Sequence, residues 1–457
     1  MLWRHLCLVR AWSAAGLVSG LMIFGTAPAM AQVAAPLDAE AAPLDADAAH
    51  LADLVTDQVD LLGASQRGDL IVTATGQGQD RVRLSIRNTS PRRLQVVIPP
   101  GLVAASAAGQ GGRGLQSMGL GAATNRPGAF GQFQLAGAPG LRSMPLDEDR
   151  KTPSLTVPVG EKLELSIPAV CLNFGLPSPT PRDRLTLMDV ETYSQDPRMA
   201  RALRSLAIYG TSQGVAQAVM WHVGNDLPFE TMAAEGTKVV NRHELALAAR
   251  FVEALDLSTD ADLVDPRRLA DRRIYVSIRG EGGLREEAAR LAEQVDGLYL
   301  MGLPVRTVGS DQVPEAAPPA LLVRVLITDS KVGETRGKVA VSYCSEEDQW
   351  QPLGQFKFQE GSSLSVLDSA GLLQGLDQAI AAEFVSVRVA RRNRGSTTLR
   401  LENRLPFTVA AALIKAGDSA GAPTVRFDEV GAGPARFALL PIQAATGTIA
   451  RVELNGL

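Results

Sequence analysis

Cysteine and histidine, the side chains most often used for nucleophilic and metal chemistry, are scarce in this sequence. Its 457 residues include Cys 3 and His 4, which are Cys7, Cys171, Cys344, His5, His50, His222 and His243. No histidine stands at a zinc-ligand spacing from a cysteine, so we expect no metal site. A Gly-Lys-Ser phosphate loop and a dinucleotide Gly-x-Gly-x-x-Gly turn after a strand are absent, so we expect no organic cofactor.

The charge balance argues against two classes of ligand. Lys+Arg 45 face Asp+Glu 49, a formal net charge of -4, and the sequence has no long basic run. Binding of nucleic acid or anionic lipid depends on a concentrated positive surface. We therefore expect neither as a partner.

Two short segments stand apart from this background. Residues 170–179 read Val-Cys-Leu-Asn-Phe-Gly-Leu-Pro-Ser-Pro and directly follow a period-two run that predicts a strand. Residues 216–221 read Ala-Gln-Ala-Val-Met-Trp inside a pattern of helical period. A strand end is therefore expected to hold Cys171, and a helix is expected to hold Gln217.

These segments resemble the two signature motifs of bacterial thioester domains. In that family a Cys-Leu stretch ending in Pro-Ser-Pro is joined to a Gln-Ala-x-Φ-Trp helix by an internal thioester. The resemblance covers residues 69–255 at most, and only the two motifs are specific. It implies that Cys171 supplies the thiol and Gln217 the acyl group. Trp221, one turn beyond Gln217, would lie on the same helix face and keep water from the bond.

The chemistry implied by this resemblance is acyl transfer. The Cys171 thiolate attacks the Gln217 carboxamide, ammonia leaves, and an amine of a protein or polysaccharide partner later captures the acyl group. The two side chains must be held together and shielded from water until then. His222 is a further candidate, for proton transfer, although it is turned about 100° away from Trp221 around the helix.

Two other states of Cys171 are compatible with the sequence. Free cysteine is among the most buried residue types, so Cys171 can be a small apolar core residue. Two cysteines in an exported chain can also form a disulfide, here between Cys171 and Cys344, although these belong to different predicted domains. The resemblance is also incomplete, because Val170 replaces the aromatic residue or leucine usual before the cysteine.

The beginning of the chain predicts export. A positively charged start and a mostly apolar run precede Ala29-Met-Ala31, so we expect a signal peptide over residues 1–31. The apolar run is short for a bilayer and ends at Pro28, which argues against a membrane anchor. Later stretches are too short or too polar to span a membrane. We expect the mature chain, without an integral membrane segment, in the periplasm, at the cell surface or outside the cell.

The periodicity predicts a multidomain α+β protein. Strand patterns with period two precede position 170, helical patterns follow to about 255, strands alternate with helices to 383, and strand patterns return to the end. The Asn-x-x-Pro turn at Asn88 separates two period-two runs and predicts a hairpin. The same turn recurs at Asn403, which suggests two related β-sandwiches. The expected domains are a signal peptide (1–31), a flexible acidic Ala/Pro spacer with a short helix (32–66), a β-sandwich with a helical half and a Gly-rich insertion at 101–150 (67–260), a small α/β domain with a mixed sheet (270–383) and a C-terminal β-sandwich (384–457).

Two functions from different classes follow from these observations. The first is an exported cell-envelope or secreted adhesion protein that attaches covalently to amine-bearing partners through Cys171 and Gln217. The second is a non-catalytic binding or structural module of the envelope, with Cys171 buried or disulfide-bonded, similar to uncharacterised exported bacterial proteins. In neither case do we expect an enzyme.

Overall fold

The computed structural model describes residues 57–457 except 107–113, 122–153, 236–239, 260, 272, 316, 330–334, 347–348, 360–367, 394–395, 417–423, 428–431 and 443–446. Its strands, β1 to β21 in chain order, are Asp57–Asp60, Leu70–Gly76, Arg81–Asn88, Leu94–Val97, Leu102–Ser106, Met118–Leu120, Ser154–Val157, Lys162–Cys171, Arg184–Asp189, Ile274–Gly280, Tyr299–Leu300, Leu303–Thr307, Ala320–Asp329, Thr335–Cys344, Trp350–Gln359, Val385–Asn393, Ser396–Asn403, Val409–Ala416, Thr424–Phe427, Phe437–Ile442 and Gly447–Leu454. Its helices, α1 to α9, are Leu61–Arg67, Val190–Tyr193, Pro197–Tyr209, Gln213–Asn225, Phe229–Glu235, Arg242–Asp256, Pro266–Ala270, Arg285–Val295 and Ser369–Phe384.

The chain is α+β with several sheets, as the sequence predicts, but its first strand-rich region closes on itself. β2, β3, β8, β6, β5 and β9 form a closed barrel in that order, and β1, β4 and β7 form a separate sheet. The period-two pattern predicts a sandwich here. Both folds need one inward face on every strand, so their period-two patterns are alike. The barrel differs because β9 pairs with β2 and removes the open edge.

The predicted Gly-rich insertion at 101–150 contains two strands of this barrel, which is a correction. Leu102 and Ala104 face the core inside the barrel, while Val103 and Ala105 face the helices that pack outside it. Because both faces of β5 are buried, the strand shows no alternation of apolar and polar residues. Within the predicted insertion, 107–113 and 122–150 lie outside the described residues, as do the signal peptide and most of the spacer.

The predicted hairpin across Asn88 is also wrong. β3 pairs with β2 and β8, whereas β4 pairs with β1 and β7. Asn88 is fully buried at the end of β3, where its Nδ2 donates to the Arg92 and Val157 carbonyls and its Oδ1 accepts from the Ser90 N–H. These bonds hold a corner at which the chain passes from one sheet to another.

The same corner occurs at the predicted second copy of this turn. Asn403 is buried at the end of β17, accepts from the Leu405 N–H and donates to the Phe407 carbonyl. Asn455, just after β21, accepts from the Leu457 N–H in the same way. β16, β17 and β20 form one three-stranded sheet and β19, β18 and β21 another. Their packing as a sandwich stays a prediction.

Side-chain caps mark the starts of three helices. α3 starts at Pro197 with Asp196 accepting from the Arg198 N–H, and α4 starts after Ser212, which accepts from the Val215 N–H. α6 begins with a complete capping box between Asn241 and Glu244. These side chains satisfy N–H groups that have no partner inside the helix, so each fixes a helix start.

The α/β region has the predicted mixed sheet, in the order β11-β12-β10-β13-β14-β15. β10 is parallel to β12 and β13, and the long strand β14 is antiparallel to its neighbours β13 and β15. One face of the sheet joins the apolar residues of α8 and α9 in a core that continues through α3, α4 and α6 to the outside of the barrel. Across the described residues, none of the helices has the length and apolar character needed to cross a bilayer.

A buried ion pair connects the helical region to the strands near the end of the chain. Glu244 on α6 has a fully buried side chain and meets the Arg436 guanidinium, whose Nε lies 2.7 Å from Oε1. The same carboxylate accepts from the Ser212 hydroxyl at 3.0 Å and from the Asn241 N–H at 2.9 Å. Hydrogen bonding to Glu244 raises the pKa of Arg436. The first turn of α4 is therefore tied to the C-terminal strands through one carboxylate.

Replacing Arg436→Ala is expected to lower the free energy of unfolding by about 3 kcal/mol, because it leaves the Glu244 carboxylate buried without its cation. Urea unfolding followed by circular dichroism measures this loss. Arg388→Ala is the matched control, since the Arg388–Glu402 pair is exposed and 3.6 Å long, and it should cost less than about 1 kcal/mol. An equal loss of unfolding free energy in the two variants would contradict the expectation that burial makes the Glu244–Arg436 pair matter more than an exposed pair.

Candidate functional site

The site begins at the point where β8 loses one of its neighbours. β3 runs alongside β8 as far as the pair Arg81↔Pro168, and the last bond between them is donated by the Ala169 N–H to the Asp80 carbonyl at 2.8 Å. β8 continues to Cys171, and Ala169, Val170 and Cys171 are all buried. Unpaired backbone groups at such a position would lose their water without replacement, which costs about 1–3 kcal/mol each. Side chains of α4 fill this gap.

A row of amide side chains on α4 pairs with the backbone at the end of β8. Gln213 donates to the Ala169 carbonyl at 2.9 Å. Gln217, one turn later, accepts from the Cys171 N–H at 2.9 Å and donates to the Cys171 carbonyl at 2.8 Å. Asn225, two further turns along, donates to the Leu172 carbonyl and accepts from the Phe174 N–H. Their spacing of four or eight residues places all three on one face of the helix.

The structure thus brings together Cys171 and Gln217, the two residues that the motifs single out. Their side chains are 3% and 2% exposed. The carboxamide of Gln217 is held by the peptide groups of Cys171 rather than by its thiol. The thiol lies with the core of the barrel and donates to the Gln79 carbonyl at 3.3 Å.

Burial controls the ionisation of this thiol. Loss of hydration, with a smaller contribution from the charge of Asp80, raises the pKa of Cys171 to about 12. A thiol in such surroundings is a weak nucleophile at neutral pH because almost none of it is ionised. The same surroundings protect Cys171 from external reagents.

Trp221 contacts the segment that follows Cys171. It follows Gln217 by one turn, packs against the main core, and makes an edge-to-face contact with Phe174 at a centroid distance of 5.1 Å. Phe174 is 42% exposed and belongs to the segment after β8. The two rings therefore stand where the backbone of the Cys171 segment leaves the barrel and meets solvent.

His222 is engaged elsewhere. Its Nδ1 lies 3.0 Å from the Leu227 carbonyl, and its ring stacks on Phe229 at 4.5 Å. Both contacts are with the segment that follows α4. They give His222 a place in holding the end of that helix, and they do not support the predicted role in proton transfer.

Cys171 and Cys344 are not joined by a disulfide. Cys344 is fully buried at the end of β14, in a small cluster with Tyr275 and Leu322, and donates to the Glu346 carbonyl at 2.9 Å. Cys171 belongs to the separate barrel core. The alternative of a Cys171–Cys344 disulfide is therefore not the state found in the structure. Within the described part of the chain, no cluster of three or more His, Cys, Asp or Glu side chains is placed to bind a metal.

Residues 210–214 read Gly-Thr-Ser-Gln-Gly, the spacing of a hydrolase nucleophile elbow. That motif needs a sharp strand-to-helix turn with an exposed serine. Here the segment joins two helices, and Ser212 is 2% exposed, caps α4 and donates to Glu244. Ser212 positions the helix that carries Gln217, and its geometry is not that of a nucleophile.

Comparison with known proteins does not identify the chain. No protein-family model matches it, and no curated protein shows significant similarity to it.

Gln213 and Asn225 were not predicted as partners of the strand, although a signal was available. Amide residues at positions 213, 217 and 225 share one helical face with Trp221. Gln217 is buried, Gln213 is half-buried and Asn225 is exposed, and a buried amide needs hydrogen-bond partners. Such a stripe on a helix next to a strand end therefore predicts side-chain pairing with backbone, whatever further chemistry it supports.

Gln217→Ala should lower the free energy of unfolding by about 3 kcal/mol, because two buried backbone groups of Cys171 lose their partners. Gln213→Ala is the matched control on the same face. It removes one bond, and its cost should be about 1 kcal/mol. Cys171→Ala keeps the backbone that Gln217 binds and should also cost about 1 kcal/mol. Chemical denaturation measures all three, and an effect of Gln217→Ala no larger than that of Gln213→Ala would contradict this account.

Folded protein should resist alkylation of Cys171 by iodoacetamide at pH 8. The ordinary thiol pKa is 9.0 and the folded value about 12, so the folded thiol stays protonated at this pH. The corresponding stability is present below pH 9.0 and is lost as the pH rises toward 12, since only the unfolded thiol ionises in that range. Mass mapping of the Cys171 peptide measures alkylation, and rapid labelling of folded protein at pH 8 would contradict the burial of the thiol.

Proposed function

We propose that this chain is an exported cell-envelope or secreted protein that attaches covalently to amine-bearing partners through an internal thioester between Cys171 and Gln217. One observation carries the proposal. The peptide groups of Cys171 bind both polar atoms of the Gln217 carboxamide, in a site where both residues are almost completely buried. Residues separated by 46 positions are thus held in register before any bond is made.

The hydrogen bonds have the directions that acyl transfer requires. When the thiol sulfur attacks Cδ of Gln217, negative charge develops on Oε1, and the Cys171 N–H already points at that atom. The new bond is S–C and the bond that breaks is C–N. The thiol proton goes to the departing nitrogen, which leaves as ammonia. A partner amine later attacks the same carbon, forms an amide and restores the thiol.

The reaction requires one local movement. The thiol must give up its bond to the Gln79 carbonyl and turn about Cα–Cβ toward the carboxamide. Holding the two groups in one site replaces an encounter in solution and compensates for the poor ionisation of the thiol. The buried surroundings that raise the pKa of Cys171 also keep water from hydrolysing the product.

Intact mass of the freshly purified chain tests the thioester. We expect a mass one ammonia below that calculated for the mature sequence. Methylamine should open the thioester and give the N-methylamide of Gln217, whose mass is one CH2 above the calculated mass. Cys171→Ala and Gln217→Ala should both lack the lighter species. Gln213→Ala is the matched control and should keep it. A chain of full mass that methylamine leaves unchanged would exclude the thioester.

Alkylation after unfolding gives an independent measurement. In urea a free Cys171 reacts with iodoacetamide, whereas a thioester keeps the sulfur blocked until it is hydrolysed. Cys344, which is not disulfide-bonded to Cys171, serves as the internal control in the same sample. Equal labelling of both cysteines would contradict the proposal.

A second function is favoured by the amide row itself. Gln213 and Asn225 bind the β8 segment just as Gln217 does, so the Gln217 contact also suits a purely structural role. On this proposal the protein is a non-catalytic envelope module with Cys171 as a core residue of the barrel. Cys171→Ala should then fold and retain every partner that wild type retains. Loss of denaturant-resistant partner adducts in this folded variant would contradict the second function.

A further inference from the structure

The mixed sheet has one face that is only partly covered. Tyr275, Leu322 and Cys344 form an apolar cluster at one end of this face, where the Trp350 Nε1–H donates to the Pro314 carbonyl. Toward the other end the face opens into a cavity of about 640 Å³. The opposite face of the sheet is the one that packs on helices in the main core.

Positive side chains from four strands line this cavity. They are Arg279 on β10, Arg324 on β13, Lys338 on β14 and Lys357 on β15. The register aligns Arg279, Lys338 and Lys357 in one row across the sheet, through the pairs Arg279↔Leu326, Leu326↔Lys338 and Lys338↔Lys357. With strands about 4.8 Å apart, this row is about 14 Å long. Arg324 lies two residues along β13, on the same face.

The row is electrostatically unfavourable for the protein alone. Lys338 and Lys357 stand directly opposite each other on neighbouring strands, where like charges destabilise a sheet. No acidic residue is among the described residues that line the cavity, and no ion pair within the described chain neutralises Arg279, Lys338 or Lys357. A cleft lined by one sign of charge concentrates ligands of the other sign.

Neutral polar groups lie next to the cations. Ser277, Ser310 and Gln355 also line the cavity, and Ser277 and Gln355 fall in the cross-strand row that contains Arg324. The second row therefore adds hydroxyl and amide groups beside the Arg324 charge. Acidic sugars present the complementary set, with carboxylates alternating with hydroxyl groups along the chain.

We propose that this face binds an acidic polysaccharide, a glycan carrying carboxylates at regular intervals. Exposed aromatic side chains, on which single-stranded nucleic acid stacks, are absent from the row. Membrane-surface binding needs apolar side chains beside the cations, and the aligned row supplies only Leu326. The glycan site does not depend on the thioester. It would hold the protein on an envelope polymer while Cys171 and Gln217 act elsewhere in the chain.

Binding of polygalacturonate to the full chain, measured by calorimetry at low salt, tests the site. Lys338→Gln combined with Lys357→Gln should weaken binding about tenfold, because two exposed charge pairs are lost. The matched control is Arg285→Gln combined with Arg290→Gln on α8, which removes the same charge on the opposite side of the sheet and should change the affinity less than about twofold.

Thermal unfolding separates a binding site from a structural one. The Lys338→Gln, Lys357→Gln variant should unfold at the same or a higher temperature than wild type, because the opposed charges are removed. A lower unfolding midpoint in this variant would show that the two lysines stabilise the fold, and it would contradict an arrangement kept for binding. Equal weakening by the α8 control, tight binding of neutral dextran, or equal affinity for inorganic polyphosphate would each overturn the assignment to an acidic polysaccharide. None of these outcomes depends on the Cys171–Gln217 bond.

Discussion

The structure around the candidate site depends on how the free edge of β8 is satisfied. This strand continues beyond its neighbour β3 into a buried region, where its N–H and C=O groups have no water. Helix α4 supplies the partners, with Gln213 on Ala169 and Gln217 on Cys171. A side-chain amide carries one acceptor and two donors, so it can replace a strand at a place where only a helix fits. The pairing of helix and strand follows from this need.

The same constraint accounts for the environment of the thiol. Once the peptide of Cys171 is bound to Gln217, the side chain of Cys171 projects to the barrel core, where desolvation raises its pKa to about 12. The hydrogen bonds to Gln217 therefore account both for the position of Cys171 and for the protection of its thiol from water. Any acyl transfer at this site depends on preorganisation of the carboxamide more than on an ionised sulfur, because ionisation is costly there.

The position of α4 depends in turn on contacts far along the chain. Its cap Ser212 donates to Glu244, and Glu244 binds Arg436 near the C-terminal strands. The cationic face of the mixed sheet is a separate feature with a different physical basis, since its charges are exposed and mutually repelling. The Cys171–Gln217 site relies on the exclusion of water, whereas the cationic face relies on a positive electrostatic field that is not neutralised and is in contact with water.

The sequence alone determined the α+β class, the helical region that follows position 170 and extends to about 255, and the pairing of Cys171 with Gln217 as a hypothesis, because periodicity and short motifs are local signals. It misassigned β5 and the Asn88 turn, because a strand buried on both faces lacks alternation and a corner resembles a hairpin. Only the tertiary structure decided that Gln217 binds the backbone of Cys171 and that four strands combine scattered lysines and arginines into one face. Both features are set by register between distant segments, which no local pattern encodes.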